Sequence, residues 1–217
     1  MKEGKSFFGI DKKNQSKAWM IAVWSAIIAA VVFLDQLSKQ LVIRFLDRET
    51  PFVLIKGVFR FKYSENRGAA FGSFDEHRWV FMVASIVGIA ALGIYLFVIR
   101  PKSKLACVSL SMIIGGGIGN MIDRFFRVGE IYDGEKVVVD FIDFYAFPKV
   151  WNAIFNVADS FVCVGAGLLM LWCVISMVNE AKEEKAKKAS AQISVAEQNA
   201  DHGDKEDIPS EKSGEDQ

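Results

Sequence analysis

Four long runs without a charged side chain constrain the fold of this chain more than any other feature. The runs are residues 18–34, 79–99, 105–122 and 160–179. A helix that crosses the hydrocarbon core of a bilayer needs roughly 20 apolar residues, because that core is about 30 Å thick. A soluble core does not need uncharged runs of this length, so the runs predict an integral membrane protein that is mainly α-helical. The predicted spans are about 18–37, 79–99, 105–122 and 159–179.

The same runs divide the chain into three parts. Residues 1–17 are polar, 18–179 form a four-span domain, and 180–217 are rich in Ala, Lys, Glu, Gln and Ser and then become acidic. A basic start before an apolar run also occurs in secretory signal peptides, but the three further runs favour a first membrane span. The C-terminal part is too polar to bury a core, so we expect an exposed helical extension that passes into a disordered tail.

Charge and cysteine content exclude several classes of site. The formal net charge is zero, which argues against a nucleic-acid partner, since such a partner needs a basic face. The three cysteines lie far apart inside apolar runs, so neither a disulfide framework nor a zinc site is predicted. We predict no metal and no cofactor.

The two long loops, 38–78 and 123–158, are predicted to lie on the same face of the membrane, because two spans separate them, and both termini on the other. In the first loop, residues 59–63 alternate apolar and polar side chains, and a Lys-Gly pair interrupts the stretch 52–63, which predicts two short strands. A sheet this small is not stable alone, so it should rest on the membrane surface or on the helices. Eight polar residues that are candidates for a site fall on the face of these loops: Asp35, Asn66, Asn120, Asp123, Arg124, Asp140, Asn156 and Asp159. The short turn 100–104 on the other face offers basic residues and no acid or carboxamide.

Two acids of this face stand in apolar surroundings. Asp140 follows three valines and precedes Phe141, and Asp159 comes directly before the fourth run. A carboxylate beside a membrane span is costly and therefore a functional candidate. Two carboxylates brought together in a dehydrated site share one proton. The ionised acid can then activate a water, while the protonated acid polarises a carbonyl and later protonates an amine. Asn156, three residues before Asp159, could orient the substrate or an acid.

Structural roles are open for some of the same residues. Asp35 and Lys39 are one helical turn apart and could form a simple ion pair. Asp123 could pair with Arg124 as a salt-bridge anchor, with Asn120 closing the end of the helix.

Asp159 and Asp143 also have structural interpretations. Asp159 could cap the fourth helix, a role that is compatible with catalysis. Asp143 is predicted to be a solvated loop acid.

Five motifs of the chain together resemble bacterial lipoprotein signal peptidase, also called signal peptidase II. The motifs are DQLSK at 35–39, NRGAAFG at 66–72, GGGIGNMIDR at 115–124, VVDF at 138–141 and FNVADS at 155–160. They occur in the family's order and cover the chain from about residue 18 to 178. The resemblance implies an aspartic endopeptidase of the bacterial inner membrane. It would remove the signal peptide from prolipoproteins, cleaving before a cysteine that carries diacylglycerol.

The resemblance also implies roles for individual residues. The catalytic pair would be Asp140 and Asp159. Substrate-binding or site-shaping positions would be Asn66, Gly68, Asn120, Arg124 and Asn156, and supporting positions Asp35, Lys39 and Asp123. The active site would lie near the periplasmic face, beneath a cradle formed by the small sheet, with cytoplasmic termini. Lys and Arg are only modestly denser on the side of the termini, which agrees weakly with this orientation.

The resemblance further implies the partners of the protein. They are prolipoprotein substrates, membrane lipids and the cyclic lipopeptide inhibitor globomycin, which would sit between the two aspartates of a monomeric enzyme.

The segment 125–139 departs from the family pattern because it is longer than the usual connection. It contains Asp-Gly, so we predict a hairpin inserted before the VVDF strand. Two other classes of function remain as alternatives. A transporter relay would place charges deep within the spans, and the four runs contain none. A non-enzymatic scaffold would explain the cradle but not the paired acids.

Overall fold

The structure is a computed structural model that describes residues 12–67, 78–132, 134–146 and 153–203. The helices are α1 (Lys12–Phe45), α2 (Arg78–Ile94), α3 (Lys104–Phe126) and α4 (Val157–Gly203). The strands are β1 (Phe52–Ile55), β2 (Phe59–Asn66), β3 (Val138–Phe144) and β4 (Ile154–Phe155). A short π-helical segment, Tyr95–Ile99, continues α2.

Four helical segments are long and apolar enough to cross a membrane. They are Lys17–Phe45, Trp79–Ile99, Lys104–Phe126 and Val157–Lys188. The predicted class, a mainly α-helical membrane protein with four spans and a small sheet, is confirmed, while the side of the membrane on which the sheet lies stays a prediction. Helices α1 and α3 end at Phe45 and Phe126, beyond the predicted span ends at 37 and 122. The charged residues Lys39 and Asp123 do not end these helices, because both are fully buried and pair with each other.

The third helix lies at the centre of the membrane domain. About 61% of its apolar span is buried, against 17% for the first span. Its glycines explain the close packing. A methyl group on Gly115 would lie 2.8 Å from the Val31 side chain, and one on Gly116 would lie 2.5 Å from the carbonyl oxygen of Ala158. Small residues here therefore let α3 approach both α1 and the start of α4.

The four strands form one antiparallel sheet in the order β1-β2-β3-β4. The predicted pair within 52–63 is confirmed as β1 and β2, and Gly57 adopts φ +81° in the turn between them. The sheet extends further than predicted, because β3 carries the VVDF motif and pairs with β2. Tyr63, Val139 and Phe141 pack against the end of α1, so the small sheet is stabilised by a helix beneath it.

The segment between α3 and β3 folds back on itself as predicted. Val128 pairs with Lys136 in an antiparallel bridge, and the Gly129 amide donates to the Glu135 carbonyl at 2.9 Å. Gly134 adopts φ +79°, a conformation suited to a tight turn. We call residues 128–136 the hairpin; Asp133 within it lies outside the described residues.

Candidate active site

The fourth helix begins at a reciprocal pair of hydrogen bonds that involves one of the two candidate aspartates. The Asn156 side-chain oxygen accepts from the Asp159 amide at 2.9 Å, and the Asn156 amide donates to the Asp159 carboxylate at 3.1 Å. This is the pattern of a capping box. The suggestion that Asp159 itself caps the helix is therefore wrong, because Asn156 is the cap and Asp159 lies in the first turn. The first turn also favours the negative charge of Asp159 through the helix dipole.

The same asparagine reaches the other aspartate. Asn156 is fully buried, and its Nδ2 donates to Asp140 Oδ1 at 2.7 Å. One residue thus contacts both carboxylates, one from a strand and one from a helix. The sequence placed Asp140 and Asp159 on one face of the membrane, and the tertiary structure brings them to a single site.

A second asparagine is oriented by a buried cation. Asn120 Oδ1 accepts from Lys39 Nζ at 3.0 Å and from Asn156 Nδ2 at 3.0 Å, while Asn120 Nδ2 donates to Asp159 Oδ1 at 2.7 Å. An ammonium group can only donate, so the oxygen of Asn120 must face Lys39 and its NH₂ must face Asp159. The charge of Lys39 thereby determines the orientation of the amide group that contacts Asp159. We refer to Asp140 and Asp159 together as the dyad.

A third asparagine completes the contacts of Asp140. Asn66, the last residue of β2, donates from Nδ2 to Asp140 Oδ2 at 3.0 Å. Each of the four carboxylate oxygens of Asp140 and Asp159 therefore accepts an N–H hydrogen bond.

Burial changes the acidity of Asp140. The side chain is 3% exposed, and desolvation, followed by the nearby charge of Asp159, raises the pKa of Asp140 to about 7. Hydrogen bonds from Asn66 and Asn156 and the charge of Lys39 oppose this rise without cancelling it. The pair can therefore retain one proton near neutral pH, which is the condition for acid–base chemistry by two carboxylates.

Lys39 is the centre of a fully buried ion cluster. Its Nζ lies 2.8 Å from Asp35 and 3.0 Å from Asp123. The ion pair of Asp35 with Lys39 is confirmed. It is not a simple pair, however, because Lys39 also donates to Asn120. Asp35 also accepts from the Ala158 amide at 3.0 Å. The cluster therefore joins α1, α3 and the first turn of α4 next to Asp159.

Asp123 has two cationic partners in this network. Besides Lys39, it pairs with Arg127 at 2.8 Å. Sequence reasoning missed Arg127, although the four-residue spacing from Asp123 within a helix was an available signal. Asn120 does not close the helix, because α3 continues to Phe126.

The prediction for Asp143 is wrong. Its side chain is buried on β3, and its carboxylate contacts the Arg60 Nε at 2.6 Å. Residues three apart on a strand point to opposite faces, so Asp143 faces away from the dyad. The pairing of β3 with β2, which the sequence did not predict, places Arg60 opposite Asp143.

The remaining predicted site residues are Arg124 and Gly68. Arg124 is half-buried near the end of α3, and Gly68 lies outside the described residues. Within the described part of the chain, no group of three or more His, Cys, Asp or Glu side chains could hold a metal ion.

The chain is similar to known proteins over most of its length. The sequence model described as "Signal peptidase (SPase) II" matches residues 27–175. A lipoprotein signal peptidase of Caldanaerobacter subterraneus subsp. tengcongensis is 44% identical over 149 residues, which are 67% of this chain and 94% of that protein. A lipoprotein signal peptidase of Geobacter metallireducens is 40% identical over 152 residues, 69% of this chain and 88% of that protein.

A solved structure has the same fold. A bacterial membrane enzyme solved by the in meso method at 2.3 Å resolution superimposes with a TM-score of 0.63 and 26% identity, covering 73% of this chain and 92% of that one. The match of the family model to more than half of the chain, together with these relatives, shows that the chain belongs to the signal peptidase II family.

Proposed function

We propose that Asp140 and Asp159 are the catalytic dyad of an aspartic endopeptidase that removes signal peptides from prolipoproteins. Cleavage would occur before the cysteine that carries diacylglycerol. The observation that carries this proposal is that both carboxylates accept hydrogen bonds from Asn156. Asp140 accepts from its side chain at 2.7 Å, and Asp159 accepts from its backbone N–H at 3.1 Å. Membership of the family supports the substrate class.

The two acids would divide the chemistry between them. Burial favours the shared proton on Asp140, whose pKa is about 7, whereas half-buried Asp159 accepts two N–H bonds at the start of a helix and would act as the general base. Asp159 would take a proton from a water as the water oxygen bonds to the scissile carbonyl carbon. Asp140 would donate a hydrogen bond to the carbonyl oxygen as it gains charge.

Collapse of this tetrahedral intermediate completes the reaction. The C–N bond breaks, and a proton passes from the dyad to the leaving nitrogen. The products would be the C-terminal carboxylate of the signal peptide and the free amino group of the lipidated cysteine.

The remaining site residues would hold the dyad and the substrate. Binding or site-shaping roles belong to Asn66, Gly68, Asn120, Arg124 and Asn156, and supporting roles to Asp35, Lys39 and Asp123. The hydrogen bonds of Asn66, Asn120 and Asn156 to the carboxylates support roles in shaping the site. The buried ion pairs of Lys39 support its role as the anchor of the network.

The protein would work as a monomer in the bacterial inner membrane. The active site would face the periplasm beneath the sheet, with the termini cytoplasmic and membrane lipid around the spans. The division into a polar segment 1–17, a catalytic domain 18–179 and a charged tail 180–217 belongs to the same proposal. Globomycin would inhibit by occupying the space between the aspartates.

Cleavage of a lipidated signal-peptide substrate by purified enzyme tests the dyad. We expect Asp140→Asn and Asp159→Asn each to lower kcat by a factor of about 100 to 10,000, the usual contribution of one general acid or base. Asp143→Asn is the matched control, because Asp143 lies on the same strand but faces Arg60, and it should keep activity close to that of the wild type. Wild-type cleavage by either dyad variant would refute the assignment.

A further inference from the structure

Glu65 is a buried carboxylate that the chemistry described above does not use. It is 8% exposed and immediately precedes Asn66, which donates to Asp140. Its oxygens accept from the Tyr63 hydroxyl at 2.8 Å and from three successive amides of the hairpin, Glu130 at 2.7 Å, Ile131 at 3.0 Å and Tyr132 at 3.2 Å. Three consecutive N–H groups that point at one anion form a built carboxylate site.

These bonds keep Glu65 ionised. Burial by itself would raise the pKa of Glu65, but the hydrogen bonds from Glu130, Tyr63, Tyr132 and Ile131 lower it overall. Burial and the bond to Glu65 raise the pKa of Tyr63, so its hydroxyl stays a neutral donor. The Arg48 guanidinium stacks 3.9 Å above the Tyr63 ring and pairs with Glu130 at 2.8 Å. The charged groups around Glu65 thus form one interlocked cluster.

The end of β2 needs such an attachment because the sheet supports it on one side only. Strand β1 pairs with Phe59–Phe61, whereas Ser64–Asn66 pair with β3 alone. Adjacent residues of a strand face opposite sides, so Glu65 points to the hairpin while Asn66 points to Asp140. A displacement of Glu65 would therefore move Asn66 with it.

We propose that Glu65 is a positioning residue, which fastens the end of β2 to the hairpin and so holds the Asn66 amide against Asp140. This inference rests on the proposed function of the dyad. The inserted hairpin would then affect catalysis indirectly, through Glu65 and Asn66. The hydrogen bonds to Asp140 and Asp159 described above come from Asn66, Asn120 and Asn156, which lie outside the hairpin. Gly129 fits this role, because a methyl group there would lie 2.6 Å from Glu65 Oε2.

The pH dependence of cleavage distinguishes positioning from a purely structural role. The charged groups near Asp140 are Asp159 and Lys39, and neither is altered by a change at Glu65. Loss of the Asn66 hydrogen bond would destabilise the ionised form of Asp140 and raise its pKa. The pair would then keep its shared proton to higher pH, and the alkaline limb of the activity profile would move upward.

The experiment measures kcat/KM against pH for purified full-length protein and a lipidated signal-peptide substrate. We expect Glu65→Gln to lower kcat/KM by about 10- to 100-fold and to move the alkaline limb upward by about one pH unit. Glu130→Gln, which breaks the exposed ion pair with Arg48 but keeps the backbone bond to Glu65, should leave both quantities near wild type. A loss of activity without a shift of the limb, or wild-type values for Glu65→Gln, would overturn the proposal.

A second variant covers the case in which Glu65→Gln does not fold. Gly129→Ala changes no charge but pushes the carboxylate away from the hairpin, and we expect the same upward shift with a smaller loss of kcat/KM. A folded Gly129→Ala protein with a wild-type profile would refute the role of Glu65. Asp140→Asn is assayed in parallel: if it still cleaves, the proposed dyad fails, and if it is inactive while the Glu65 and Gly129 variants behave as wild type, only the positioning role fails.

Discussion

Asn156 offers the sharpest test of how the dyad is held, because its two functions can be separated. Its oxygen caps α4 through the Asp159 amide, and its NH₂ donates to Asp140 at 2.7 Å. Serine can supply a capping oxygen but has no group that extends as far as Asp140, whereas alanine supplies neither. Asn156→Ser and Asn156→Ala therefore share the loss at Asp140 and differ in the cap.

The size of the effect follows from this hydrogen bond. A bond to a charged group contributes about 1.5–3 kcal/mol, and one pKa unit corresponds to about 1.36 kcal/mol. The bond stabilises the ionised form, so its loss should raise the pKa of Asp140 by about 1–2 units above its value of about 7. Both variants should show an alkaline limb that is displaced upward, together with a kcat about 10- to 100-fold lower because the carboxylate is no longer held in place.

The assay is kcat/KM against pH in detergent or nanodiscs, together with thermal unfolding of the same samples. Asn156→Ala should be less stable than Asn156→Ser by about 1 kcal/mol, the usual contribution of a helix cap. An alkaline limb that stays in place or moves to lower pH in both folded variants would refute the account of Asp140 given above.

Two further predictions concern the buried network and the helix contacts. Lys39→Met leaves Asp35 buried without its cation, while Asp123 keeps Arg127, so it should destabilise the protein by about 3–5 kcal/mol. The double variant with Asp35→Asn should recover part of this loss in thermal unfolding, and a loss below about 1 kcal/mol would contradict the buried cluster. Gly116→Ala places a methyl group 2.5 Å from the Ala158 carbonyl oxygen, so it should cost about 1–3 kcal/mol and lower activity. Gly88→Ala on α2 is its control, since nothing lies within 4 Å, and it should be neutral or stabilising; equal effects of the two substitutions would contradict the packing argument.

The sequence by itself determined the membrane architecture and the identity of the two acids. A helix that crosses a bilayer must be predominantly apolar, so the uncharged runs predict the spans without any tertiary information. Asp140 and Asp159 were recognisable because a carboxylate in an apolar stretch needs an explanation. Both lie between the third and the fourth run, which was enough to place them on one face.

Only the tertiary structure decided which groups contact these acids. Asp143 and Asp140 look alike in a loop, and the register of β3 with β2 turns one toward Arg60 and the other toward Asn66. The cap of α4 was predicted at Asp159 but is Asn156 in the structure, because the identity of the cap depends on backbone geometry at the start of the helix. Such contacts join residues far apart in the chain, and local periodicity carries no information about them.

The same reason explains why Glu65 was missed. It stands beside Asn66 in the sequence, yet its partners are the amides of Glu130, Ile131 and Tyr132, which become available only when the hairpin folds against β2. Backbone N–H groups are present at nearly every residue, so no sequence pattern shows which of them will converge on one carboxylate. The spans and the two acids follow from local composition, and the network that makes them a site follows from the packing of α1, α3, α4 and the sheet.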